Sequence, residues 1–311
     1  MIKPLIHILD SAQDQKLNLI QSACITLCNM ASKPSLHKHF VNEPEISTIK
    51  NCLKDPIDKG SNSNSQLTRF MIKLVCNLTK NPQILPKLLK KGFLEILFDL
   101  LNQSDKEKEI FGNVVTAIAY MSVQKEAQEM IISSKIMSRI LETKESNNVD
   151  KKMIIIALTT MLFNGIQLQR EFIHYGGLGK MLVFLKEQDK IFYQLSCKCF
   201  SILSENEENL EKMIESECLN NIIISCLKNK DIDLETLKEI TKIFINLILW
   251  RKLKKETIET TCCLCDIGLM IDDLDMNILA IFCLNALSEN DENHKAIRDS
   301  GFSLSQTKNN T

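Results

Sequence analysis

The segment Leu203-Ser204-Glu205-Asn206-Glu207-Glu208-Asn209 returns 84 residues later as Leu287-Ser288-Glu289-Asn290-Asp291-Glu292-Asn293. Each copy is followed by a short stretch of helical pattern, Met213 to Ser216 and Ile297 to Ser300. The offset is two periods of 42 residues. A period of about 40–47 residues is that of helical repeats, which bury their apolar faces only by stacking on neighbours. A second pair agrees, since Leu27-Cys28-Asn29-Met30 matches Val75-Cys76-Asn77-Leu78. Phe40 lies eleven residues after Asn29 and Leu88 eleven after Asn77; the same spacing links Tyr120 to Ile131, Ile202 to Met213 and Ala286 to Ile297. A long helix, a tight polar turn and a short helix with one buried anchor produce this spacing. One equivalent position per repeat then reads Asn29, Asn77, Tyr120, Thr160, Ile202, Asn246 and Ala286. In the fourth repeat the run Ile154 to Phe163 is apolar nearly all round, so the register there can slide.

Composition supports an all-α reading. Six prolines and nine glycines in 311 residues are too few for the turns of an all-β sandwich. Leu27, Met30, Val75, Leu78, Phe200, Leu203, Phe244, Leu247, Leu284 and Leu287 form the expected core. The longest apolar stretch, Met153 to Phe163, is well short of the roughly 20 residues of a membrane span. The twelve cysteines sit mostly in apolar helical runs, such as Cys24, Cys28, Cys76, Cys226 and Cys283, and no N-terminal signal segment is read. Buried free thiols in a reducing compartment, cytoplasmic or nuclear, follow. The net charge of -1 conceals a gradient: residues 1–155 carry 21 Lys/Arg against 16 Asp/Glu, and residues 156–311 carry 17 against 23.

Glycine follows the short helix at Gly92, at Gly176-Gly177 and at Gly301, and is replaced by Lys135 and Cys218 after the third and fifth register positions. With these glycines and the run Asn293 to Gly301, the chain resembles the armadillo repeat family. The resemblance implies a right-handed α-solenoid of about seven repeats, one domain over residues 1–302 with a polar tail at 303–311. The chain opens on Ile2 to Ile6, like a second helix with no first helix before it, and closes on that tail, as either a fragment or a weakly capped natural chain would.

In that family the third helices line a concave groove for an extended peptide, and an asparagine on each bonds the peptide main chain. An amide suits this task because it carries both a donor and an acceptor. Asn29, Asn77 and Asn246 match, whereas Tyr120, Thr160, Ile202 and Ala286 depart. Positions four and eight residues earlier share the helix face. They give Arg69/Lys73/Asn77 and Lys238/Lys242/Asn246, the same stripe twice, with Lys198 in the fifth repeat and Ile278/Phe282/Ala286 in the seventh. No groove position holds an acid. The expected partner-binding residues are therefore Asn29, Arg69, Lys73, Asn77, Tyr120, Lys198, Lys238, Lys242 and Asn246, and the expected partner is an extended, acidic protein segment. Importin-α-like receptors pair each groove asparagine with a tryptophan one turn earlier. The only tryptophan here, Trp250, lies outside those positions, which argues against a basic nuclear-import signal.

The expected function is a non-enzymatic interaction scaffold or adaptor. The alternatives are a nucleic-acid-binding helical array and an armadillo-type regulator of a small GTPase. Aromatic residues make up 5 % of the chain, so stacking platforms for bases are scarce. No cofactor and no metal is expected: Cys262-Cys263-Leu264-Cys265 and Cys197-Lys198-Cys199 have no second pair or histidine at zinc-site spacing. His37 and His39 have no obvious nucleophile or carboxylate beside them. Asp55 to Gln66 reads as a surface loop, Glu145 to Asn148 as a break between helices, and Glu205 to Glu217 and Asp272 to Asp275 as solvated turns.

Overall fold

The computed structural model describes residues 2–11, 17–40, 42–54, 62–103, 108–142, 148–187, 189–216, 218–219, 221–222, 232–250 and 255–301. All regular structure among them is helical. In chain order the α-helices are α1 (Lys3–Asp10), α2 (Leu17–Ala31), α3 (Glu43–Lys54), α4 (Asn62–Thr79), α5 (Leu85–Lys90), α6 (Phe93–Gln103), α7 (Lys108–Met121), α8 (Lys125–Ser133) and α9 (Ile136–Glu142). They continue with α10 (Asn148–Asn164), α11 (Ile166–His174), α12 (Gly177–Leu185), α13 (Lys190–Ser204), α14 (Glu207–Glu215), α15 (Leu234–Trp250), α16 (Lys255–Leu269), α17 (Leu274–Ser288) and α18 (His294–Asp299). Turns of 3-10 helix cover Pro34–Phe40 and Asp291–Asn293. The chain forms two compact units, Met1–Glu171 and Phe172–Thr311.

The seven long helices α2, α4, α7, α10, α13, α15 and α17 each hold one register position and are the third helices of the repeats. In the first unit α2 packs on α4, α4 on α7 and α7 on α10; in the second, α13 packs on α15 and α15 on α17. Apolar side chains at helical spacing drive this packing. On α13 the buried set includes Phe192, Tyr193, Cys197, Phe200 and Leu203. Of the expected core, all but one are buried; Met30 is half-exposed.

Each third helix ends with backbone carbonyls that no helical N–H reaches. At four of them a side chain from the following short helix or turn supplies a missing donor. His37 Nε2 lies 2.6 Å from Ala31 O, Gln128 Nε2 donates to Ser122 O at 2.8 Å, Gln169 Nε2 to Leu162 O at 2.9 Å and Asn293 Nδ2 to Leu287 O at 3.0 Å. This explains the turn polarity behind the repeated segment. Asn206 and Asn290, 84 residues apart, both act as N-caps, accepting from Asn209 N and Glu292 N.

At four of the bends between first and second helices the chain takes a left-handed residue, while Cys218 in the fifth repeat does not. Gly92, Gly176 and Gly301 take φ of 75°, 82° and 79°, and Lys135, where glycine is missing, is forced to φ 56°. A side chain in that region costs roughly 1–2 kcal/mol, partly offset by the greater freedom glycine has when unfolded. Lys135→Gly is therefore expected to stabilise the first unit by roughly 0.5–1 kcal/mol, read from denaturant midpoints. At the next bend two glycines act differently. Gly176 supplies the positive φ, while a Cβ on Gly177 would stand 2.4 Å from the Phe172 ring.

Four loop expectations are revised. Helix α4 begins at Asn62, so residues 62–66 belong to it and not to a loop. Glu207–Glu215 is the amphipathic helix α14, which buries Leu210 and Met213 and keeps its acids outside. Asn148 opens α10, so it is not part of the break. Of Asp272–Asp275 only the first two residues lie in a turn: Asp273 caps α17, and Leu274 and Asp275 already belong to that helix. Residues 55–61, Glu145 to Asn147, Cys226 and the tail from Ser303 lie outside the described residues.

Candidate partner-binding face

The described cysteines include no disulfide. Burial pushes the thiols of Cys24 and Cys28 up to about 12, and those of Cys52, Cys76 and Cys262 up to about 11. They stay protonated at neutral pH, which suits packing and not nucleophilic attack or metal ligation. Among the described residues no group of three or more His, Cys, Asp or Glu is placed to hold a metal ion. His37 is held at both nitrogens, by Ala31 O and by the Asn81 amide 2.9 Å from Nδ1, and is buried. Its role is structural.

The exposed edges of the third helices are more specific. In the first unit Asn29 on α2 is exposed, and its amide has no partner among the described residues. On α4, Arg69 is half-buried and Lys73 exposed; Lys73 forms no ion pair among the described residues. Asn77 Nδ2 donates to Cys28 O of the preceding third helix at 3.4 Å. Tyr120 on α7 is half-exposed and carries Lys80 Nζ 5.7 Å from its ring centroid, within cation–π range.

In the fourth repeat the structure selects a different residue from Thr160, whose hydroxyl bonds Ile156 O of its own helix. Asn164 makes the lateral bond instead, donating to Ser122 Oγ at 2.8 Å and Ala119 O at 3.4 Å. Its equivalent in the second unit is Asn246, which donates to Ser204 Oγ at 2.9 Å. Both bonds span 42 residues, one repeat period. In all three repeats the amide nitrogen of Asn77, Asn164 or Asn246 is tied sideways to the neighbouring third helix. The Oδ1 of each accepts nothing from the described residues. The lateral bond thus fixes the amide plane and leaves its carbonyl free, an arrangement that can receive an N–H from a strand laid across the helices. Ile202 is buried and is not part of the exposed face.

The two cationic stripes differ in kind. Lys198 on α13 is exposed without an ion pair among the described residues. Lys238 on α15, however, has a side chain only 12 % exposed and lies 3.0 Å from Asp273, 3.5 Å from Glu235 and 3.7 Å from Asp275. Lys242 pairs with Glu239 at 3.1 Å. These acids stand three residues earlier on the same helix, or at the start of the next third helix. A reading of one stripe per helix does not see them.

Hydrogen bonding to Asp273 raises the Lys238 ammonium above its ordinary value. The Met276 N–H and the Lys238 ammonium hold the Asp273 carboxyl below the usual carboxylate range. A depressed acid contributes stability above its unfolded pKa and loses it as pH falls through the folded one. Asp273→Asn should therefore melt below the parent at neutral pH. The gap should close as pH drops below the ordinary value of 3.8, as thermal melts across pH would record.

No family model and no curated protein matches the chain. Solved structures do. The crystal structure of an engineered protein superposes with a TM-score of 0.76 at 18% identity, covering 96% of this chain and 71% of that one. Computationally designed armadillo repeat proteins for modular peptide recognition give 0.65 at 18% identity over 79% of this chain and 100% of theirs. A designed armadillo repeat protein in complex with the peptide (KR)4 gives 0.66 at 17% identity over 78% and 98%. With the three-helix repeats and left-handed bends described above, these likenesses establish that the chain has the armadillo-type helical-repeat fold, an all-α solenoid.

Proposed function

We propose that the protein is a non-enzymatic interaction scaffold that takes an extended, acidic segment of a partner protein along the third helices of its first unit. The observation that carries this reading is the laterally fixed amide of Asn77, repeated at Asn164, whose Oδ1 accepts nothing from the described residues, one turn from Lys73, which forms no ion pair among them. Asn29, Arg69 and Tyr120 belong to the same face. The fold's neighbours support peptide binding in general, since one of them holds (KR)4. The charge argument sets this chain apart from that neighbour, because Lys73 favours carboxylates. In the second unit Lys198, Lys242 and Asn246 form a separate, weaker candidate face, and Lys238 serves the fold. Residues 1–302 as one continuous solenoid, and residence in the reducing cytoplasm or nucleus, are parts of the same reading. The latter rests on the buried free thiols.

The test is fluorescence anisotropy with a labelled peptide of alternating Asp and Val, with (KR)4 and a single-stranded RNA as competitors for the assignment. The acidic peptide should bind the parent and lose most of its affinity for Lys73→Glu, with the melting temperature unchanged. Preference for (KR)4, RNA binding with a steep salt slope, or indifference to Lys73→Glu would each overturn the proposal.

A further inference from the structure

The last pair of long helices, α16 and α17, packs together, and one side of it is left exposed by the other described residues. One side of α17 is buried through Met276, Ala280, Cys283, Leu284 and Leu287. The other side exposes Leu274, Ile278, Ile281 and Phe282, and α16 with its following turn adds Ile267 and Met270. Met270 is 88% exposed and Leu274 74%. The chain provides its own comparison for this face. The position five residues before the register residue is Cys197 on α13, Thr241 on α15 and Ile281 on α17. The first two are 0% and 1% exposed, whereas Ile281 is 51% exposed. Helices α13 and α15 each have a following third helix packed on them. The outer side of α2 is different in character, since its exposed residues are mostly polar: Asn18, Ser22, Thr26 and Asn29, with Leu19 and Ile25.

Charge narrows the choice of occupant. Between Lys255 and His294 the sequence contains no Lys, Arg or His. Exposed carboxylates at Asp266, Asp272 and Glu289 lie on or next to the same two helices, while Asp275 is turned to Lys238 of α15. A second copy related by a two-fold axis would set this acidic rim against itself. A helix with an apolar stripe flanked by lysines or arginines complements both features.

We propose that the outer face of α16 and α17 is a docking surface for a basic amphipathic helix of a partner protein. The helix lies where a following third helix would lie, its apolar stripe on Ile281, Leu274 and Met270 and its cations toward the carboxylates.

A labelled peptide of about 15 residues, built only of Leu and Lys with Leu at helical i, i+3, i+4 spacing, is a suitable probe. Its controls are a scrambled peptide of the same composition and a version with Glu in place of Lys. The variants are Ile281→Arg and Met270→Arg, both at exposed positions, checked by melting temperature; Val123→Arg, at an exposed apolar position of the first unit, serves as a control. The patterned peptide should bind the parent and Val123→Arg alike, and bind each of the other variants about tenfold more weakly or worse. Both control peptides should bind the parent about as poorly. Equal binding of the scrambled peptide, or unchanged binding to both Ile281→Arg and Met270→Arg, overturns the proposal. So does light scattering that shows the parent as a dimer and Ile281→Arg as a monomer, because a second copy then occupies the face.

Discussion

Replacing Phe172 by Ala is expected to destabilise the second unit by roughly 3–5 kcal/mol, the range for emptying a fully buried aromatic site. Phe172 is 0% exposed, and its ring occupies the space that a side chain at Gly177 would need. The nearest approach, 2.4 Å to a ring carbon, is closer than a real Cβ can come. Gly177→Ala alone is therefore an overpacking change, expected to cost roughly 1–3 kcal/mol as the ring or the start of α12 shifts. In the Phe172→Ala background the same methyl enters the vacated space, and most of its cost should vanish. The two changes should thus be non-additive by about the full cost of Gly177→Ala, since residues in direct contact couple and distant ones do not. Equilibrium denaturation of the parent, both single variants and the double variant reads this out. Strict additivity would mean that Gly177 is required for something other than room for the ring. Gly176 offers a contrast: a Cβ there meets nothing within 4 Å, so its substitution should cost only the strain of positive φ.

The second large effect concerns binding. Lys73→Glu should weaken an acidic extended ligand by about tenfold to a hundredfold, the equivalent of one charge-assisted hydrogen bond worth roughly 1.5–3 kcal/mol. The melting temperature should not move, because Lys73 makes no ion pair among the described residues. Lys238→Glu should show the reverse pattern. It places a fourth carboxylate among Glu235, Asp273 and Asp275, so it should disturb the α15–α17 packing and lower stability, with little direct effect on the ligand. Raising salt should reduce the Lys73 effect, since exposed charges are screened beyond a Debye length of about 8 Å at physiological ionic strength. Should Lys238→Glu abolish binding without loss of stability, the division between the two stripes would be wrong.

Much of the fold could be read from the chain because repetition multiplies weak signals. The eleven-residue spacing and the 84-residue segment placed five of the seven third helices, and the asparagine caps at 206 and 290 give the physical reason for that segment. Even the missing glycine at position 135 was legible, and Lys135 indeed adopts the left-handed bend. The fourth repeat was harder. Helix α10 is apolar on nearly every side, so no face marks its register. Its signal lay one period away, in Ser122, which pairs with Asn164 as Ser204 pairs with Asn246. The candidate site was half legible. Residue type and helix face identify Lys73 and Lys238 alike. Only the structure shows that Asp273, a cap 35 residues further on, holds the second and leaves the first alone.

The sideways amides have a thermodynamic corollary. Asn164 and Asn246 join one repeat to the one before it through Ser122 and Ser204, serines that are 0% exposed and out of reach of any ligand. A strand that accepts or donates to the same amide competes or cooperates with that junction, so ligand occupancy and the stiffness of the stack share a free energy. Linkage is reciprocal. Whatever a ligand does to tighten the junction, a change that loosens the junction does in reverse to the ligand. On the proposed reading the hydroxyls of Ser122 and Ser204 would be remote regulators of affinity, and the spring constant between repeats would become a property on which partner choice depends.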